Sequence, residues 1–84
     1  MDSVKIERYY DSDTTKGYRV VAEKKRIGGR NVARVELFHP DAPNAPVLSD
    51  MPPLANLDSL CDAMWHRYMG HVEMDRFLND PVKL

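Results

Sequence analysis

Between Gly17 and His39 apolar and polar residues alternate with a period of two, and the alternation breaks once, at Gly28-Gly29. A Gly-Gly pair supplies the two φ > 0 positions of a two-residue turn, so the flanking segments are expected to pair as an antiparallel hairpin. Ile27 then opposes Arg30, and every pair of positions summing to 57 meets across the ladder. One face collects Tyr18, Val20, Ala22, Ala33, Val35 and Leu37. The other carries Arg19, Val21, Glu23 and Lys25 with Val32, Arg34, Glu36 and Phe38. A one-residue slip would scramble both faces and separate Glu23 from Arg34, a favourable cross-strand pair.

Upstream, Ser3 to Tyr10 also alternates, with Val4 and Ile6 on one side, and the polar stretch Asp11 to Lys16 is built of turn formers. For Ile6 to join Val20 and Ala22, paired positions here must have an even sum. That puts Arg8 on the core side, its stem lying flat and its head reaching water. The expectation is a three-stranded antiparallel meander with one apolar face, which needs a cover.

The period then changes. Leu57, Leu60, Cys61, Met64, Trp65 and Tyr68 recur at helical spacing, with Asn56 at the N-cap position and Asp58 in the first turn. Burying six such side chains is worth on the order of 10 kcal/mol before entropy is subtracted. Gly70 stands where a helix-ending C′ glycine would, so a second short helix is expected from His71 to about Asn79, with Val72, Met74, Phe77 and Leu78 as its contacts and Pro81 as its stop. Between sheet and helix, His39 to Pro53 holds five of the six prolines. It reads as a stiff connector, or as a recognition loop with low ordering cost, and Val47-Leu48 offers a short fourth edge strand. The fold class is α+β, in one domain over residues 1–84: a meander (1–39), a Pro-rich connector (40–53) and a helical cover (54–80).

Composition narrows the function. A chain of 84 residues has one core and little to spare for a deep cleft. A single cysteine forms no internal disulfide and suits a reducing compartment. Met1 to Tyr10 carries Asp2, Lys5, Glu7 and Arg8 with no apolar run, unlike a signal peptide, and no stretch approaches the roughly 20 apolar residues of a membrane span. A cytoplasmic protein with no membrane partner is expected. Net charge is −1, but residues 1–39 hold nine Lys/Arg against six Asp/Glu, and residues 40–84 hold three against seven.

Reactive chemistry finds little purchase. Cys61 lies within the apolar stripe, where burial raises a thiol's pKa and hides it. His66 and His71 are five apart, not at the i, i+4 spacing of helical zinc sites, and His39 precedes a proline. Asp62 and His66 suit a surface ion pair. Asp11 and Asp13 sit in a turn, Asp58 and Asp62 on a solvated helix face, and none forms an evident acid/base set. Gly28-Gly29 precedes a strand, whereas phosphate loops precede a helix N-terminus. Neither catalysis nor a metal or cofactor is implied.

Two surfaces suit binding. From Lys16 to Arg34 there are seven Lys/Arg and one acid, Glu23. Arg19, Lys24, Lys25, Arg26, Arg30 and Arg34 on a protruding ribbon suit phosphates or an acidic protein patch. On the outward sheet face, Tyr9, Val21, Val32 and Phe38 would form a partner or homodimer interface if contiguous.

Gly17-Tyr18-Arg19-Val20 followed by the Lys24–Arg34 hairpin resembles, over about twenty residues, the AP2-like and arm-type domains of phage integrases. That resemblance implies a three-stranded sheet laid into the DNA major groove. The Pro-rich connector and acidic second half depart from it. In size and architecture the chain also looks like small phage-encoded inhibitors such as anti-CRISPR proteins. The leading expectation is a non-enzymatic interaction protein with a protein partner, such as a phage- or mobile-element-type inhibitor of a host nucleic-acid-handling complex. The alternative is a nucleic-acid-binding module that uses the basic hairpin.

Overall fold

The computed structural model describes residues 4–79. Four strands, β1 (Lys5–Asp11), β2 (Lys16–Ile27), β3 (Arg30–Phe38) and β4 (Leu48–Asp50), form one antiparallel sheet in the order β1-β2-β3-β4, followed by a single helix, α1 (Leu57–Asn79).

The β2–β3 register is the one that the glycine pair dictates: Ile27 pairs with Arg30, Glu23 with Arg34, Arg19 with Phe38. Gly28 and Gly29 have φ of 59° and 78°, values that side-chain-bearing residues adopt only with strain. In β1–β2, Ile6 pairs with Ala22 and Arg8 with Val20, an even sum, until a bulge at Tyr10/Asp11 shifts the ladder.

The inward face of the sheet supplies Tyr18, Val20, Ala22, Ala33, Val35 and Leu37, which α1 closes with Cys61 and Met64; Leu57, Leu60, Trp65 and Tyr68 pack around them. Asn56 caps the helix: the Ser59 amide donates to Asn56 Oδ1 at 3.1 Å. Four aromatic rings fill one end of the sheet–helix seam. Trp65 stacks on Tyr10 at 5.0 Å and meets Tyr18 at 5.1 Å, while Tyr68 meets Tyr18 at 5.4 Å.

The helix does not stop at Gly70. It runs on as one element to Asn79, about 34 Å in all, so the expected break into two helices is replaced by one rod. A C′ glycine ends a helix by taking positive φ, and Gly70 does not. In a helix interior glycine costs only about 1 kcal/mol relative to alanine, too little to stop propagation. The side chains of Val72, Met74, Phe77 and Leu78, and Pro81 itself, lie outside the described residues.

Polar ties between β1 and α1 also differ from expectation. The Arg8 head reaches water as expected, and there it also pairs with Asp58. Tyr10 O–H donates to Asp62 Oδ1 at 2.6 Å, so Asp62 serves the sheet instead of His66. The first two turns of the helix are thereby fastened to the outermost strand.

The Pro-rich segment is a strap along the free edge of β3. Val47 N–H donates to the Leu37 carbonyl (2.8 Å), β4 pairs with residues 35–37, and Ala33 N–H donates to the Pro52 carbonyl (3.0 Å). Arg67 then reaches Asp50 at 3.1 Å and ties the strap to the helix. Pro46, Pro52 and Pro53 offer no N–H to a further strand, so the strap both covers an edge and blunts its own.

Candidate functional site

The six candidate cations fall into two groups. Three stand on the outward sheet face, each beside an acid of the same face. Arg19 pairs with Glu7 at 3.2 Å, Lys25 with Glu23 at 3.7 Å, and Arg34 with Glu36 at 3.4 Å. Although Glu23 and Arg34 are cross-strand neighbours, each takes its ion partner two residues along its own strand. Same-face neighbours on one strand lie close enough for long side chains to meet. These three pairs leave the middle of the outward face close to neutral. The sheet-face docking implied by the AP2-like resemblance would bring Glu7, Glu23 and Glu36 against phosphates.

Lys24, Arg26 and Arg30 form the second group. None has an ion-pair partner among the described residues, and Arg26 and Arg30 are exposed. Among the described residues, β1 and its lead-in reach only as far as Lys24, whose N–H donates to the Val4 carbonyl at 2.9 Å, and the strap reaches only as far as Val32, bridged to Pro53. Beyond those points no described residue flanks the hairpin, which runs on as a two-stranded ribbon for roughly 10 Å, at about 3.3 Å per residue. Register places Ile27, Arg30 and Lys25 on the outward face of that ribbon and Lys24, Arg26 and Asn31 on the opposite one. Cations therefore stand on both sides of it.

The chain matches no protein-family model, no curated protein and no solved structure.

The second candidate surface is largely consumed by the fold. Val21 and Phe38 are only 8% and 9% exposed, and Val32 is half-buried, so of the four residues only Tyr9 stands out into solvent. Arg19 covers Phe38, with its guanidinium carbon 4.3 Å from the ring centroid, and donates to the Pro43 carbonyl at 3.0 Å, which brings the strap over that corner. The alternation told which face these residues share, but not that long charged side chains and the strap would cover them.

Among the described residues, the hollow of about 260 Å³ lined by Tyr9, Arg19, Phe38 and His39 brings together no set of three or more metal-ligating groups. A groove of about 110 Å³ between strap and helix is lined by Val35, Pro52, Leu60 and Met64, and its only charged groups, Asp50 and Arg67, are paired with each other. That is well below the several hundred Å³ of ordinary small-molecule sites. Among the described residues no group of three or more His, Cys, Asp or Glu is placed to hold a metal, and no helix is long and apolar enough to cross a membrane.

Cys61 is fully buried, and burial pushes its thiol up to about 11 from 9.0. Burial, then the hydrogen bond to Asp62, holds the Tyr10 phenol well above its usual 10.0. Both groups are raised in the folded state, so the fold favours their neutral forms. Their contribution is intact below pH 9 and is lost as pH climbs through the folded values. Urea unfolding should give a flat stability from pH 6 to 8 and a decline above about pH 9; equal stability at pH 7 and pH 11 would contradict this.

Proposed function

We propose that this chain acts by binding and not by catalysis, and that its contact element is the tip of the β2–β3 hairpin, set against the phosphate backbone of a nucleic acid. The observation that carries this reading is the contrast between the two groups of cations. Arg19, Lys25 and Arg34 on the sheet face each pair with an acid, whereas Lys24, Arg26 and Arg30 stand beside no acid among the described residues, on a ribbon that projects past the rest of the described sheet. Phosphate contacts supply most sequence-independent affinity for nucleic acid, through Lys and Arg that release counterions. A single buried thiol is compatible with work in a reducing cytoplasm.

The test is retardation of a labelled mixed-sequence DNA duplex by the protein at low salt. A saturable shift is expected; no shift at any protein concentration overturns the reading.

A protein partner is the second reading, in which the same cations meet an acidic surface, as an inhibitor from a mobile element would do in occupying a nucleic-acid-handling complex. What favours it is the net charge of −1, since an acidic body weakens long-range attraction to a polyanion. Recovery of one stoichiometric protein from the native host by the wild type, and not by a Lys24→Ala/Arg26→Ala/Arg30→Ala variant, would support it over the first.

A further inference from the structure

We infer that the hairpin enters the major groove of duplex DNA tip first and sets Ile27 against thymine methyl groups on the groove floor. This rests on the nucleic-acid reading and goes beyond it. Three observations converge on the tip. Cations without a described ion-pair partner occupy both faces of the ribbon, Arg30 on one, Arg26 and Lys24 on the other. A groove has a phosphate wall on each side, and a ribbon inserted between two walls needs positive charge on both of its faces, which a sheet lying flat on one backbone does not. Ile27, the last residue of β2, is 51% exposed beside the turn, level with its pair Arg30 and ahead of Lys24, Lys25 and Arg26. At the apex itself Gly28 and Gly29 have nothing within 4 Å of where a Cβ would stand, so the leading end is narrow.

Width selects the groove. Two strands lie about 4.8 Å apart, and with side chains the ribbon is on the order of 10 Å across, which the major groove of about 12 Å admits and the minor groove of about 6 Å does not. In the major groove the apolar feature of the floor is the thymine C5-methyl group, to which an aliphatic side chain is complementary. An exposed isoleucine is ordinary by itself. Its place here, in the last residue pair before the turn of a two-sided cationic ribbon whose glycines keep the apex thin, gives it a task.

The experiment separates this inference from the reading beneath it. Affinity is measured for a mixed-sequence duplex and for the same duplex with deoxyuridine at every thymine, which removes the methyl groups and leaves the phosphates untouched. Wild-type protein should bind the thymine duplex roughly three- to fourfold more tightly for each methyl group contacted. The Ile27→Ala variant should lose that preference and bind both duplexes equally, with the cation-dependent part of its affinity kept. Thermal unfolding of the variant is recorded alongside, since an unchanged midpoint shows that the ribbon still forms. Wild-type binding that is cation-dependent but indifferent to uracil and to Ile27→Ala overturns the inference and leaves the phosphate-binding reading standing. Displacement by a ligand that fills only the minor groove also overturns it. Absence of all duplex binding overturns both.

Discussion

Replacing Lys24, Arg26 and Arg30 together by alanine is expected to weaken duplex binding about a hundredfold at low salt while leaving the fold unchanged. Each of these side chains is offered to a phosphate without first breaking an ion pair with a described residue, and such a contact is worth on the order of 1 kcal/mol net, so three give roughly two decades. Their removal costs little stability, because Arg26 and Arg30 are exposed and β2–β3 pairing at the tip is set by the glycine turn. The informative control is Arg19→Ala/Arg34→Ala. It removes two positive charges against three, from side chains that Glu7 and Glu36 already engage, and should cost no more than about fivefold. If the control variant loses as much affinity as the tip variant, the contact runs over the sheet face and the division into two groups of cations is wrong.

The second large effect is on stability. Leu37→Ala is expected to cost about 3–4 kcal/mol, seen as a fall in the urea midpoint and a drop in melting temperature of roughly 12–25 °C. Leu37 is fully buried, is among the largest of the fully buried side chains, and its own backbone carbonyl anchors the strap through the Val47 amide. Truncation leaves a cavity under α1 at the place where sheet, strap and helix meet. A domain of 84 residues has a total stability on the order of 4–12 kcal/mol, so this variant sits near the edge of folding. Val47→Ala, on the outer side of the strap, should move stability by only about 0.5 kcal/mol. A Leu37→Ala protein as stable as the wild type would mean that the core is not organised as described.

The parts of the fold legible in the amino-acid pattern are those where one local choice has a global consequence. Gly28-Gly29 fixes a turn, and the turn fixes the partner of every residue from Arg19 to Phe38, because a register slip would turn Val20, Val35 and Leu37 outward. The helical stripe from Leu57 to Tyr68 is legible for the same reason, and Asn56 caps it where the pattern places a cap. What the pattern does not carry is the choice among equally available polar partners. Arg8 finds Asp58, Tyr10 finds Asp62 and Arg19 finds Glu7, all by proximity that only the assembled fold creates. Period-two alternation likewise placed Val21 and Phe38 outward but said nothing of the strap and the Arg19 side chain that shelter Phe38. Gly70 is the opposite case, a local stop signal overridden because a single interior glycine is a small perturbation in a rod of 23 residues.

These differences matter for function because they reorder the candidate site. Pairing with acids withdraws Arg19, Lys25 and Arg34 in part, and burial withdraws Val21 and Phe38, so the emphasis moves from the face of the sheet to its end. On the proposed reading, binding at such a tip would be electrostatic in origin, and its dependence on ionic strength would count the phosphates engaged.

The direct measurement is therefore the slope of log affinity against log salt for wild type and for the Lys24→Ala/Arg26→Ala/Arg30→Ala variant on the same duplex. The tip account predicts a wild-type slope of about −3 to −4, corresponding to three or four phosphate contacts at about −0.9 each, flattening to about −1 in the variant. A slope that is near zero in the wild type, or that is unchanged in the variant, would contradict it.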